Sequence, residues 1–410
     1  MNGVKGPGRK FGPGILVTAA FIGPGTVTTA SIAGAHFGFA LIWALAFSVL
    51  ATIVLQEMAA RLALVSRQGL AEALRSSYSS SWLGTAAVVL VVAAVGLGNA
   101  AYQTGNITGA ALGLQGISEI GLKWWALLVG LLAGALLASG VYALIEKLLI
   151  ALVALMGLVF LVTLFMVRPS LSAMLDGLLV PSLPQGSLLT VMALIGTTVV
   201  PYNLFLHASA VQEKWDAAVS KKQALRESRI DAGLSIGLGG LITLAIMSTS
   251  AAAFFGGDVA FSAASMSQQL EPLLGAGARY LFAAGLFAAG LSSAITAPLA
   301  AAYAVCGVLG WPQDLRGRNF RSVWLTVLLF GTGFSVIGIK PLAAIVFAQA
   351  ANGFLLPLCA VFLLLLMNRK DVLGDYVNKP LANTLGVLVV LVTVALGLLK
   401  ILQAAGAFQQ

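Results

Sequence analysis

Charge is what this sequence has least of. Only 9% of its 410 residues are charged, where an ordinary soluble domain carries about 25%, so a solvated surface over most of the fold is excluded. Acids are scarcer than bases, 14 against 23, and no acid falls at the centre of the first, third, sixth or tenth apolar run. The two histidines, His36 and His207, and the two cysteines, Cys306 and Cys359, lie in four separate runs. That scatter excludes metal-ligand spacing and a disulfide framework. With no HExxH run, no paired carboxylates and no Ser-Lys arrangement, an enzyme is not expected, and no cofactor is implied. The glycines at 232–240 lack the strand that a nucleotide loop needs, and predict close helix packing instead.

What the chain does have is apolar length. Hydrophobic residues make up 59% of it, and a membrane-crossing helix needs about 20 in succession. Eleven candidate spans follow, near 14–35, 39–64, 84–113, 124–141, 143–167, 186–210, 231–255, 278–309, 322–339, 341–367 and 382–403. They predict an all-α polytopic membrane protein, a single membrane domain over 1–410 in contact with the lipid bilayer. Residues 1–13 carry Lys5, Arg9 and Lys10 without an apolar core or cleavage pattern, and read as a cytoplasmic tail.

The basic residues set the orientation. With the N-terminus inside, only Lys123, Arg168, Arg279, Lys340 and Lys400 of the 23 fall outside, the positive-inside pattern. The net charge of +9 then needs no nucleic acid as a partner. The expectation is an inner-membrane protein with a cytoplasmic N-terminus, a charged cytoplasmic loop over 213–229 and the C-terminus outside. Oligomeric state is not legible.

Two spans carry helix breakers at their centres. The first holds Gly23, Pro24 and Gly25; proline removes a backbone donor and the glycines hold a helix poorly, so a break is expected. Thr26 stands where a second half-helix would start and is expected to cap it. The sixth holds Gly196, Thr197, Thr198, Pro201, Tyr202 and Asn203. An interruption in hydrocarbon leaves backbone groups whose exposure costs several kcal/mol each, so it is tolerated only against protein or a wet cavity. Paired interruptions suggest two inverted five-helix repeats, over 14–167 and 186–367, with 382–403 as an extra helix and a transport site between the breaks.

At these residues the chain resembles the NRAMP transporters. That family's first helix carries Asp-Pro-Gly-Asn and its sixth Met-Pro-His-Asn followed by Leu-Tyr-Leu-His. Here the matching stretches are Gly23, Pro24, Gly25, Thr26 and Val200, Pro201, Tyr202, Asn203, then Leu204, Phe205, Leu206, His207. Residues 289–297 are similar to its eighth helix and 348–357 to its tenth, so the likeness runs over nearly the whole chain. It implies a leucine-transporter-like fold with broken helices 1 and 6, and secondary transport of metal cations. It also exposes departures: the family's aspartate is Gly23, its asparagine Thr26, its methionine Val200, and its third-helix acid aligns near Gln103.

The candidate substrate site is therefore polar but uncharged: Gly23, Thr26, Thr197, Val200, Tyr202, Asn203 and Gln349, with Thr28 nearby. Gln103, Asn106 and His207 are candidates for coupling or gating. Metals need carboxylate, sulfur or imidazole for charge and selectivity, whereas hydroxyls and amides suit an organic solute. A metal cation is the reading the resemblance implies; a small carboxylate or amino-acid-like compound is the alternative. Asn99, Gln103 and Asn106 share one helix face and also read as interhelical glue. Glu57 and Arg61, four apart, read as a pair on one helix, or as a cytoplasmic gate.

Overall fold

A computed structural model describes residues 12–78, 82–215, 219–256, 275–337 and 356–404. Among the described residues all regular structure is helical. The first half comprises α1 (Pro13–Phe21), α2 (Pro24–Phe37), α3 (Ile42–Ser66), α4 (Leu70–Tyr78), α5 (Trp82–Leu90), a π-helical stretch Val91–Leu97, α6 (Gly98–Gln115), α7 (Leu122–Ala138), α8 (Tyr142–Val167) and α9 (Leu171–Leu179). The second comprises α10 (Leu188–Thr198), α11 (Pro201–Lys214), α12 (Lys221–Phe254), α13 (Ala278–Leu309), α14 (Arg318–Ile337), α15 (Leu356–Met367), α16 (Lys370–Leu373) and α17 (Pro380–Ala404).

The molecule carries a largely apolar surface over an apolar core that also holds buried polar groups. Thr26, Thr197, Gln103, Asn203 and His207 are fully buried, while Phe165 and Ile337 are 77% and Leu381 71% exposed. Large apolar side chains exposed along apolar helices match a lipid solvent, so the chain is a multi-pass membrane protein. Seven described spans are long and apolar enough to cross a membrane, one of them α10 and α11 taken together, and eight counting the bent pair α1 and α2. The remaining expected spans are met by α5 to α6, whose helix is interrupted by the π-helical stretch, by the 17-residue α7, and by α15, the described part of the run expected at 341–367.

Two boundaries differ from the sequence reading. α12 begins ten residues earlier than expected, at Lys221, where Ser220 caps it by accepting from Gln223 N. Half of the expected charged loop is thus helix, and 34 residues at 1.5 Å each make α12 longer than the roughly 30 Å apolar slab. α9 lies between the fifth and sixth spans with Leu171, Leu175 and Leu179 exposed. It is too short to cross a membrane.

Small residues let the helices approach. A Cβ on Gly290 would strike Ala110, drawing α13 onto α6, and one on Gly34 would strike the Met247 carbonyl, drawing α2 onto α12. Of the glycines at 232–240, Gly239 lies against Phe21 and Gly240 against Val49. Gly233 and Gly237 face open space, so packing accounts for only part of that stretch.

The Glu57–Arg61 pair is more than a helix-face contact. Glu57 also accepts from Arg229 of α12 at 2.8 and 3.0 Å. Arg61 reaches Glu57 at 3.1 Å, Asn378 Oδ1 at 2.6 Å and the Tyr376 carbonyl at 2.9 Å. The cluster ties α3, α12 and the connection before α17 together at one end of the bundle.

Candidate functional site

The first break follows from donor arithmetic. In an unbroken helix the Ala19 carbonyl would accept from Gly23 N and the Ala20 carbonyl from residue 24. Gly23 N turns back onto the Phe21 carbonyl at 2.9 Å instead, and Pro24 has no N–H to give. Ala19 and Ala20 are therefore released, and the helix axis turns by 57° between α1 and α2.

Hydroxyls from three other elements approach the released end. Ser292 Oγ of α13 lies 3.0 Å from the Ala19 carbonyl, Ser293 Oγ 3.2 Å from the Ala20 carbonyl, and Tyr202 OH of α11 3.5 Å from the same oxygen. Thr26 donates back to the Phe21 carbonyl. The expected N-terminal cap by Thr26 is thus corrected: Gly23 occupies the N-cap of α2 with no side-chain bond, and Pro24 takes the first turn. Thr26 sits inside the helix, where its oxygen points back and serves the C-terminus of α1.

The second break is gentler. α10 ends at Thr198, Val199 and Val200 leave helical geometry, and α11 starts at Pro201. Among the described residues only α1 and α2 form a pair bent by more than 40°. Pro201 supplies no N–H to the Thr197 carbonyl, and the Thr198 carbonyl accepts from Thr52 Oγ1 of α3 at 3.3 Å. Thr26 Oγ1 and Thr197 Oγ1 stand 2.7 Å apart and join the two breaks directly. Asn203 Nδ2 reaches the Val17 carbonyl at 3.5 Å, and His207, one turn further along α11, sits fully buried beside the backbone of Gln56.

α6 and α13 form the wall behind this junction. Pro298, inside α13, deprives the Ala294 carbonyl of its usual donor. Gln103 Nε2 fills that gap at 2.9 Å. Asn99 Nδ2 donates to the Ala297 carbonyl at 3.1 Å, and Asn106 Nδ2 to the Ser293 carbonyl at 3.2 Å and Gln103 Oε1 at 3.1 Å. The amide stripe holds α6 to α13, the role of interhelical glue.

Thr26, Thr197, Tyr202 and Asn203 thus converge on one junction, with Gly23 between α1 and Ser293 and with Val200 buried at the start of α11. Gln103 and Asn106 border it through α13, and His207 lies below it. Thr28 is buried on α2 with no hydrogen-bond partner among the described residues. Gln349 lies outside the described residues. Sequence reasoning did not single out Ser292, Ser293, Thr52 and Pro298 as site residues. The signal for three of them was available, since Ser-Ser followed by proline within one apolar run places hydroxyls and a lost donor at membrane depth.

The chemistry available is that of neutral oxygen and amide groups. Among the described residues no three of His, Cys, Asp and Glu are grouped to hold a metal ion. The buried carboxylate nearest the first helix, Asp231 of α12, is used elsewhere: it accepts from Gly12 N at 2.9 Å and Gly14 N at 2.8 Å, at the start of α1.

The fold is shared with solved transporters. A manganese transporter from Eremococcus coleocola superposes with a TM-score of 0.75 at 22% identity, covering 95% of this chain and 85% of that one. The protein MhsT, solved in complex with L-phenylalanine, superposes at 0.62 with 14% identity, covering 98% of this chain and 100% of that one. The architecture is therefore the leucine-transporter-like one, with first and sixth spans interrupted. In sequence, a divalent metal cation transporter MntH from Deinococcus radiodurans is 28% identical over 395 residues, 94% of this chain and 88% of that protein. The family model for natural resistance-associated macrophage protein-like proteins matches residues 14–403, and the chain belongs to that Nramp family.

Proposed function

We propose that this chain is a secondary active transporter that moves a metal cation through the junction of its two helix breaks, and that it does so without a charged ligand. Family membership and the relatives' activity support the cargo class. The observation that carries the rest is the Thr26–Thr197 contact at 2.7 Å beside a glycine whose side-chain space is held by Ser293. A site of hydroxyls, amides and carbonyls supplies no charge to a cation leaving water and no soft ligand to select a transition metal. It favours a cation that keeps part of its water, as magnesium does.

In this reading Gly23, Thr26, Thr197, Val200, Tyr202 and Asn203 surround the cargo, Gln349 joins them from the tenth span, and Gln103, Asn106 and His207 act in coupling or gating. The repeats occupy 14–167 and 186–367, with α17 as the added helix. The N-terminus is cytoplasmic, as the basic residues indicate.

A second reading is a small carboxylate or amino-acid-like cargo. It is favoured by the loss of the aspartate position beside the start of α2, where a half-helix N-terminus attracts an anionic group. Uptake into proteoliposomes decides between them. Saturable uptake of magnesium or manganese, lost in Thr26→Val, supports the cation; uptake of an organic acid alone, with neither metal transported nor inhibitory, sinks it.

A further inference from the structure

Packing uses only part of the glycine-rich stretch of α12, and the rest shares a face with basic residues of the same helix. Lys222, Arg226, Ile230 and Leu234 follow one another at spacings of four, with Leu241 two turns further on, so a single stripe runs along α12. Ile230, Leu234 and Leu241 are 52%, 60% and 52% exposed. Between them, a Cβ built on Gly233 or Gly237 meets no atom within 4 Å, which leaves a shallow apolar groove open to lipid. From Ile230 to Leu241 is about 17 Å at 1.5 Å per residue, close to one leaflet of a roughly 30 Å slab. The basic residues begin where that leaflet ends.

Positive charge is in surplus there. Lys222 and Arg226 are exposed and form no ion pair among the described residues. The neighbouring acids are engaged: Glu57 holds Arg61 and Arg229, and Glu227 accepts from Trp215 Nε1 at 2.8 Å and Gln223 Nε2 at 2.9 Å. Arg229, with a side chain 57% exposed, adds a third cation within one turn of Arg226.

We propose that this stripe binds an anionic phospholipid of the adjoining leaflet, with its phosphate on Lys222 and Arg226 and an acyl chain laid over Gly233 and Gly237. Basic residues at a membrane surface attract anionic headgroups, and Lys and Arg give phosphate charge-assisted hydrogen bonds. Two glycines four apart also suit a second copy of the helix. In a two-fold dimer within one membrane, however, residues near the axis face their own copies, so the bases on this stripe would oppose like charges. Charge complementarity therefore selects the lipid. Because Arg229 stands beside the headgroup position and grips Glu57, an occupied site bears on the cluster that ties α3 to α12.

The test uses the full chain in dodecyl maltoside micelles without any cargo. Thermal unfolding is followed as dioleoyl phosphatidylglycerol or dioleoyl phosphatidylcholine is added, with inorganic phosphate as the comparison for the headgroup alone. A ligand of the folded state raises the midpoint in a saturable way. Phosphatidylglycerol alone is expected to do so. Lys222→Gln with Arg226→Gln is expected to raise the half-saturating lipid fraction by about tenfold or more, the effect of two basic residues at an anionic surface. Gly237→Leu keeps every charge and fills the groove, and is expected to raise it about fivefold, the effect of one or two lost methylene contacts. An equal response to phosphatidylcholine or to phosphate overturns the proposal. So does an unchanged response in Gly237→Leu, which leaves only diffuse charge attraction. A dimer in micelles that Gly237→Leu dissociates also overturns it and assigns the groove to a second copy. Should the substituted chains fail to fold, the unaltered chain decides: preferential retention of phosphatidylglycerol from an equimolar mixture of the two lipids supports the site, and equal retention overturns it. These readouts are independent of cargo, so failure of the metal-cation reading leaves them intact.

Discussion

The hydroxyl of Ser293 occupies the space that any side chain at Gly23 would need. A Cβ built on Gly23 falls 2.5 Å from Ser293 Oγ, 3.2 Å from Ser293 Cβ and 3.6 Å from Asn106 Oδ1. The space beside Gly23 is therefore filled from the eighth span. Gly23→Asp alone is expected to destabilise the protein by about 1–3 kcal/mol through overpacking. Combined with Ser293→Gly and Val200→Met, it is expected to raise manganese affinity at least tenfold in equilibrium binding. A folded triple variant with unchanged manganese binding would show that Gly23 and Val200 do not line the site.

Thr26 serves two partners with one oxygen, the Phe21 carbonyl at the end of α1 and Thr197 across the junction. Thr26→Val keeps the shape and removes both contacts, for an expected loss of about 1–2 kcal/mol. Thr197→Val removes one of them and is expected to cost less. Reversible unfolding in mixed micelles measures the difference, and the reverse ranking would contradict the assignment of Thr26 to the end of α1.

Gln103 and Pro298 form a compensating pair, since the amide supplies what the proline withholds from the Ala294 carbonyl. Gln103→Leu is expected to cost about 1 kcal/mol. In a Pro298→Ala background, where a backbone N–H returns to that carbonyl, the cost is expected to shrink by at least half. Strict additivity in this double-mutant cycle would remove the link between them.

Asp231 ties the start of α1 to α12 through two backbone N–H groups. Carboxylates at a helix start gain from both capping and the helix dipole. Asp231→Asn is expected to cost about 1 kcal/mol and Asp231→Ala about 2, with protease sensitivity rising near residue 12. Equal stabilities in the two variants would show that neither the charge nor the second acceptor matters.

Apolar length and breaker position carry much of this fold directly in the sequence. The runs at 143–167 and 278–309 correspond to α8 and α13 almost residue for residue, because a helix of about 20 apolar residues has few alternatives in lipid. Gly23 to Gly25 and Pro201 located both breaks, since a missing donor and a weak helix former act locally. The sequence also placed no acid at the centre of the first or sixth apolar run, and among the described residues no group of His, Cys, Asp and Glu that could hold a metal ion assembles there.

Tertiary structure decided everything that depends on which helices meet. That Thr26 turns back to α1 rather than capping α2, that Gln103 answers Pro298, that Arg61 bridges Glu57 and Asn378, and that Ser293 fills the space beside Gly23 are relations between residues as many as 317 positions apart. Local propensity is blind to such distances. The sequence by itself determined where backbone oxygens are released inside the membrane; packing alone determined which hydroxyls stand beside them, because a released carbonyl in lipid must be met by whatever donor the neighbouring helix brings within 3 Å or so.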